Sequence, residues 1–456
     1  MGAVTAGARV VGFGEALEAV LGHAAGVRAA ALEQVALLAS AGRVLAEEVV
    51  ADRDQPPFDR AARDGFAVRA GEWSAGTRLR VAGQVRAGEV WAGGEVAAGC
   101  AVEIMTGAAV PGGADSVAMI EHAEQSGGEV WAAAGRQLRA GENVVVRGSE
   151  ARQGEALLAR GTAIGAAEIA LAAACGRAEV AVFKRASVAI VATGDELVEL
   201  ERTPEAHQIR NSNGYALAAL VESAGGEARR LAIARDTLGD VRERIVEGMQ
   251  SDLLLLSGGV SAGKYDLVED VLAEFGAEFF FTGVRMQPGK PVVFGRLPKG
   301  GESAGQRASE SARRLAGDLQ GTGFSPSASA ARFPGALTPE GTVSEWVYFF
   351  GLPGNPVSTQ VTFHCFVEPL LRAMCGADVG GPRFVQATLA EEVRGKAGLT
   401  RLLPALLRFD LARPEVRLVG WQGSGDLAAN ARANCYAVLP DGKDLRAGDV
   451  ITVLLR

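Results

Sequence analysis

The sequence predicts an α/β plus β protein: a parallel α/β domain, a β-rich N-terminal module, a small linking helical domain and a C-terminal β domain. Three observations carry that expectation. From residue 186 the continuous apolar runs ASVAIVATG, DLLLLSGG and AEFFFTGV alternate with segments of helical spacing. Strands apolar on both sides, separated by helices, are the texture of a parallel sheet covered on both faces. From about 66 to 150, short runs such as RLRVAGQV and AVEIM are separated by glycine-rich turns, the pattern of an all-β module. The final segment returns to that texture and closes with CYAVLPDGKDLRAGDVITVLL, read as a hairpin.

A chain of 456 residues is long enough for about three domains. The expected boundaries are 1–50 with 154–181 for the helical linking region, 51–153 for the β module, 182–376 for the α/β domain and 377–456 for the last domain. Apolar residues fall at helical spacing over 13–24 and over 31–48, where Leu32, Val35, Leu38 and Leu45 carry the pattern. TAIGAAEIALAAACG, residues 162–176, predicts another helix. In the α/β region helices are expected over 211–224, LGDVRERIVEGMQ and DLVEDVLAEFG, with ARRLAIARD a strand between the first two. Residues 299–344 are rich in Ser, Ala, Gly and Pro. Such a composition buries too little surface to offset ordering entropy, so a disordered insert is expected there.

The formal charge of −8 argues against nucleic acid or an anionic membrane as the main partner. The five cysteines are scattered and form no C-x-x-C, which fits reduced thiols. The first residues lack the pattern of a signal peptide, and Ala6 breaks a myristoylation motif at Gly2. No apolar run is long enough to span a bilayer. A cytoplasmic location is the expectation.

The stretch SGGVSAGKYD raises the question of chemistry. From Gly258 to Lys264 it reads G-x-x-x-x-G-K, yet Tyr265 follows where a P-loop needs a hydroxyl able to reach Mg²⁺. A phenol stands too far from its own backbone for that role, so a P-loop-like nucleotide hydrolase is the weaker reading. The carboxylates say more. In an open α/β sheet, ligands bind outside the carboxyl ends of the strands. Asp195 and Glu196 follow the first strand, Asp236 follows the second, and Asp266 opens the helix after the third. Each alone could be a turn or N-cap residue. Together they would repel one another unless a divalent cation sat among them, and oxygen-only ligands suit Mg²⁺, which prefers phosphates as co-ligands. Glu196, Asp236 and Asp266 are the candidate metal ligands. Two glycine-rich turns leading into helices present backbone N–H groups to an anion: Ser257, Gly258, Gly259 and Ser261 in one, and Gly354 and Asn355, mounted after Pro353, in the other. A third turn mounts Lys290 between prolines, with Pro291 following it. The four histidines are isolated and there is no G-x-S-x-G, which speaks against a zinc centre and a serine hydrolase.

Six stretches in order, PPFDRAARDGFAV, IMTGAAVPGGADSV, VATGDEL, LSGGVSAGKYD, MQPGKPVVFG and GLPGNPVSTQVTF, resemble the molybdopterin molybdenumtransferases of the MoeA type, which include the E domain of gephyrin. The resemblance covers nearly the whole chain outside 299–344. It implies a molybdopterin-binding α/β domain, a C-terminal β-barrel-like domain and an enzyme of molybdenum cofactor biosynthesis. Such an enzyme takes adenylylated molybdopterin and molybdate and releases AMP in a step that needs a divalent metal, here Mg²⁺. It also implies a homodimer of elongated four-domain subunits, with the adenylyltransferase of the same pathway as a further candidate partner. By motif, Asp195, Glu196, Asp236 and Asp266 fall in the acidic site. Asp64 and Thr106 fall on further functional positions, lent by the other subunit. Lys290, Arg401 and Ser424 fall on residues linked to molybdate. Without the resemblance, Asp64–Gly65 would read as a plain turn. Several positions depart from the common pattern: Arg60, Ala61 and Arg63 before Asp64, Glu103, Glu150, and Gln287 where many members carry a lysine. They touch substrate contacts and leave open the choice of molybdate or tungstate. Two rivals stand beside this reading, the adenylyltransferase step and a non-catalytic scaffold. The flanking β domains argue against the first, the retained carboxylates against the second.

Overall fold

The computed structural model describes residues 9–27, 31–259, 267–299, 345–409 and 413–456. Ser261, Lys264, Tyr265 and Asp266 lie outside the described residues, as does the insert expected over 299–344 apart from Lys299.

The central domain is built on strands β1 (Ser187–Ala192), β2 (Glu227–Arg230), β3 (Leu253–Ser257), β4 (Glu278–Phe281), β5 (Val293–Pro298) and β6 (Trp346–Leu352), in the spatial order β2-β1-β3-β6-β5-β4. Alternate residues of a strand point to opposite faces. Leu253 and Leu255 therefore enter one core with Val188 and Ile190, while Leu254 and Leu256 enter the other with Ala189 and Val191. Helix α1 (Ser212–Ser223) covers the first face through Leu217 and Val221. Helices α2 (Leu238–Gly248) and α3 (Leu267–Glu274) cover the second. The unbroken apolar run of β3 is thus a consequence of burial on both sides.

The expected parallel sheet is a mixed one. The pairs β2–β1, β1–β3 and β3–β6 are parallel, but β6–β5 and β5–β4 are antiparallel. Parallel neighbours need a long crossover, usually a helix. No helix separates Phe281 from Val293, so β5 reverses direction beside β4, and Lys299 N–H donates to the Glu345 carbonyl at 2.7 Å where the end of β5 meets the start of β6. Helix α4 (Pro356–Thr362) follows β6 and continues through a π-helical turn, Phe363–Val367, into Glu368–Met374.

The C-terminal strands β7 (Phe384–Leu389), β8 (Thr400–Arg408), β9 (Glu415–Leu418), β10 (Cys435–Leu439) and β11 (Val450–Leu455) run in the order β8-β9-β7-β11-β10. Pairing of β10 with β8 closes them into a barrel. The hairpin expected at the end is β10 and β11, which pair antiparallel. A short strand, Met286–Gln287, joins the barrel to the central domain by pairing with Thr400 and Arg401.

The N-terminal β module is a six-stranded sheet whose second strand, Gly65–Val68, lies between the edge strand Ser116–Met119 and Cys100–Ile104. The helix Phe13–Gly26 buries Ala16, Val20 and Ala24 against the first face of the central domain. Helical spacing over 31–48 does not become a helix. Leu32–Ala36 is a strand paired with Glu179–Phe183, followed by one 3-10 turn, Leu37–Ser40. The pairing with a strand some 145 residues away, which no local window sees, overrides the local pattern; Leu38 is 80% exposed and Leu45 packs with Val180 and Val182. The helix expected within 162–176 is Ala166–Ala174. All five cysteines are buried and free. No helix among the described residues is long and apolar enough to cross a membrane.

Candidate functional site

The chain leaves β1 first towards β2 on one side and then returns to β3 on the other, so the strand order reverses at β1. A crevice opens at such a switch point. Here it becomes a cleft of about 1300 Å³ walled by the ends of β1, β3 and β6. Because β5 runs the opposite way, its N-terminal approach, Gln287 to Pro291, reaches the same edge. An all-parallel sheet would have carried that turn to the far end.

The loops are pressed together. Gly258 has φ +94°, and a Cβ there would stand 2.6 Å from the Thr193 carbonyl oxygen. Thr193 N–H donates to the Ser257 carbonyl at 3.0 Å, and Gly258 N–H to the Leu352 carbonyl at 3.1 Å. Only glycine fits so close an approach at positive φ. Asn213, in the first turn of α1, then ties two loops: its Nδ2 donates to Ser257 Oγ at 3.0 Å and to the Gly354 carbonyl at 2.7 Å. Asn211 caps α1 by accepting from Gly214 N–H at 2.9 Å. The barrel contributes Ser424, held where Val357 N–H donates to its carbonyl at 3.0 Å. A buried relay docks that domain: Tyr436 Oη donates to Asn430 Oδ1 at 3.0 Å, and Asn430 Nδ2 to Gln360 Oε1 at 2.9 Å.

Of the residues singled out from sequence, Glu196 and Asp236 line the cleft on the acidic side. Ser257, Gly258 and Gly259 form one wall, and Pro353, Gly354 and Asn355 another. Lys290, Pro291 and Ser424 complete it. Asp195 is not part of the lining; its Oδ1 accepts from Asp236 N–H at 3.3 Å and so holds the Asp236 loop. Arg401 is not part of the lining either. Its guanidinium binds the Arg394 carbonyl, and its buried Nε has no partner. Asp64 and Thr106 lie together in the β module, away from this cleft. Asp64 Oδ1 accepts from Thr106 N–H at 2.6 Å and from its Oγ1 at 2.7 Å. Those two bonds, the backbone one foremost, hold the Asp64 carboxyl below the ordinary carboxylate range. Gly65 is required beside it, since a Cβ would fall 1.9 Å from the Ala118 carbonyl oxygen.

Among the described residues no three His, Cys, Asp or Glu side chains stand close enough to hold a metal ion. Two of the three expected ligands, Glu196 and Asp236, do line the cleft, and the third, Asp266, is outside the described residues. The donor set is oxygen only, and the Thr193 hydroxyl is buried there without a partner. That chemistry fits Mg²⁺ rather than a softer metal. Sequence reasoning missed Thr193, Asn213 and Trp421 of the lining and the nearby Lys396. Asn213 left a signal, since the Asn-Ser-Asn run at a helix start offers one more side chain than a cap needs, and Thr193 stands in the strand-end stretch VATGDEL; Trp421 and Lys396 left none.

Residues 11–176 match the family described as the MoeA N-terminal region (domain I and II), 189–373 the probable molybdopterin binding domain, and 386–455 the MoeA C-terminal region (domain IV). The chain belongs to the molybdopterin molybdenumtransferase (MoeA) family. A molybdopterin molybdenumtransferase of Nostoc sp. (strain PCC 7120) is 33% identical over 436 residues, covering 92% of this chain and 88% of that protein. One from Staphylococcus aureus (strain Mu50) is 31% identical over 428 residues, covering 92% and 90%. The crystal structure of a molybdopterin biosynthesis MoeA protein from Pyrococcus horikoshii OT3 superposes with a TM-score of 0.74 at 25% identity, covering 98% of this chain and all (100%) of that one. A second structure of a MoeA protein from the same genus and species gives 0.68 at 28% identity, covering 98% and 99%. As a molybdopterin molybdenumtransferase, the chain is a transferase of molybdenum cofactor biosynthesis, with the β-rich, α/β and closed-barrel domains of its family.

Proposed function

We propose that the chain inserts metal from molybdate into molybdopterin presented as its adenylylated form, with release of AMP. The observation that carries this reading is the meeting of three unlike groups in one cleft. Glycine-rich strand ends face an anion, Glu196 and Asp236 offer oxygen ligands, and Lys290 offers a cation. The volume of about 1300 Å³ exceeds that of a usual small-molecule pocket, roughly 300–1,000 Å³, and suits a substrate with two heterocycles joined by a pyrophosphate.

The bond to be broken is one P–O bond of that pyrophosphate. Water supplies the oxygen, molybdopterin keeps its phosphate, and AMP departs; in the insertion itself two thiolates of molybdopterin replace two oxygens of molybdate, which leave as water, and molybdenum stays hexavalent. Glu196 and Asp236, with Asp266, would hold Mg²⁺, which when bound neutralises charge on the pyrophosphate oxygens. With Gly258 N–H engaged by the Leu352 carbonyl, the N–H groups of Gly259, Gly354 and Asn355 bind and orient the phosphates. Lys290 draws the oxyanion to the opposite side of the cleft.

The same reading takes the enzyme as a homodimer in which Asp64 and Thr106 complete the cleft of a second copy. Its support is that the pair is preassembled by two short hydrogen bonds yet lies away from its own chain's cleft. A symmetric dimer is the simplest arrangement that lends such a pair across. An adenylyltransferase would supply the substrate.

The test is direct. Purified protein is mixed with adenylylated molybdopterin, Mg²⁺ and either molybdate or tungstate, and AMP is followed by chromatography. AMP should form only with both metal and oxyanion present, stop on adding EDTA and resume with excess Mg²⁺. Absence of AMP under all these conditions would falsify the reading.

A further inference from the structure

Gln287 lines the cleft beside Lys290. Its carboxamide is uncharged, and a cation reaches it from another domain. Lys396, on the loop between β7 and β8, donates from Nζ to Gln287 Oε1 at 3.3 Å.

We propose that Lys396 is a positioning residue for the oxyanion substrate. Its ammonium holds the Gln287 carboxamide by the oxygen, which leaves the Nε2 hydrogens free to donate into the cleft. It also brings a positive charge to the rim beside Gln287. The proposal rests on the molybdate reading of this cleft.

Both partners stand on fixed backbone. Gly395 N–H donates to Asp444 Oδ1 at 2.6 Å and Gly398 N–H to Asp441 Oδ1 at 2.6 Å. Between them, Gly442 N–H donates to the Lys396 carbonyl at 3.2 Å. A Cβ at Gly395 would meet the Gly442 carbonyl carbon at 2.6 Å, so the loop is pressed flat on the turn below it. The Arg401 guanidinium binds the Arg394 carbonyl at the start of the same loop. Gln287 is paired through its backbone with Arg401. The lysine and the glutamine therefore meet without a long search by either side chain. A carboxamide has one acceptor oxygen and two N–H donors. With the oxygen engaged by a cation, only donors remain for a ligand, and an anion is the ligand that donors select. An exposed ammonium is screened beyond about 10 Å at 0.1 M salt, so its pull on an oxyanion should depend on ionic strength.

The rival is a solvent-exposed contact that does nothing, the usual fate of surface lysines. Apparent KM for molybdate and kcat for AMP release would be measured at saturating adenylylated molybdopterin for wild type, K396A, K396R, Q287K and the double variant K396A/Q287K. K396A should raise the oxyanion KM by about five- to tenfold, the loss of one steering charge, while kcat falls far less. K396R should restore the wild-type KM. Q287K should rescue K396A, because it returns a cation to the cleft, yet help less in the wild-type background, where two ammonium groups would face each other. The K396A defect should shrink as salt rises. An unchanged KM in K396A, or a double variant no better than K396A, overturns the proposal. If wild type releases no AMP with any oxyanion, the functional reading is at fault, and calorimetric binding of molybdate to wild type and K396A then decides the role of Lys396: equal affinity overturns it.

Discussion

Replacing Asn213 should damage both stability and turnover, by amounts that can be worked from two hydrogen bonds. Its half-buried carboxamide donates to Ser257 Oγ at 3.0 Å and to the Gly354 carbonyl at 2.7 Å. A typical intramolecular hydrogen bond contributes about 1 kcal/mol net, so Asn213→Ala should cost about 1–2 kcal/mol after allowing for partial exposure. For a domain of this size each kcal/mol lowers Tm by about 2–4 °C, giving a fall of roughly 2–8 °C. The effect on turnover should be larger than the effect on stability. The two bonds fix the glycine-rich ends of β3 and β6 relative to each other, and a displacement of ~1 Å at such a site can cost about 10²-fold in rate. Asn213→Asp should be worse than Asn213→Ala. It keeps the shape but sets a carboxylate oxygen against the Gly354 carbonyl, two acceptors with no proton between them. Differential scanning fluorimetry and the AMP-release assay measure both effects. If Asn213→Ala matches wild type in Tm and kcat/KM, or if the Asp variant is the milder one, the cross-tie is not what organises these loops.

Three further outcomes follow from the same geometry. Burial would raise the Glu368 carboxyl, but the His364 hydrogen bond at 2.8 Å and the charges of Arg383 and Arg372 hold it below its ordinary value of 4.5. A depressed carboxyl stabilises the fold above its unfolded pKa and loses that contribution as pH falls through the folded one. Glu368→Gln should therefore lower Tm at pH 7 and flatten the loss of Tm on acidification below about pH 5; parallel Tm–pH curves for the two proteins would contradict this. Mixing Asp64→Ala chains with Asp236→Asn chains should restore activity towards half if the cleft is shared between copies. A hybrid dimer then has one intact site and one doubly defective site, whereas confirmed hybrids with no activity rule sharing out. Replacing residues 300–344 with a short Gly–Ser linker should leave Tm and AMP release nearly unchanged, since Lys299 and Glu345 are already hydrogen-bonded neighbours at 2.7 Å and closure entropy varies slowly with loop length; a large loss of either would assign the segment a packing or binding role.

Much of this protein is legible in its sequence because the relevant physics is local. β3 announces itself as a continuous apolar run, since it is buried on both faces. Gly258 and Gly259 announce a tight turn, and the carboxylates after β1 and β2 sit at strand ends by their place in the chain alone. What the sequence could not reveal depends on contacts between distant segments. Leu32–Ala36 has the spacing of a helix but pairs with Glu179–Phe183, and no local window contains that partner. The direction of β5 is decided by the absence of a crossover helix, and that direction alone brings Lys290 to the same edge as Glu196 and Asp236. Asn213 bridges two loops that lie 44 and 141 residues away along the chain, and Lys396 meets Gln287 across 109. Residue type and spacing determine which side chains can bind an anion, a cation or a carbonyl; only the closed tertiary structure decides which of them share a cleft, because that depends on strand direction and domain docking rather than on any property of the residues themselves.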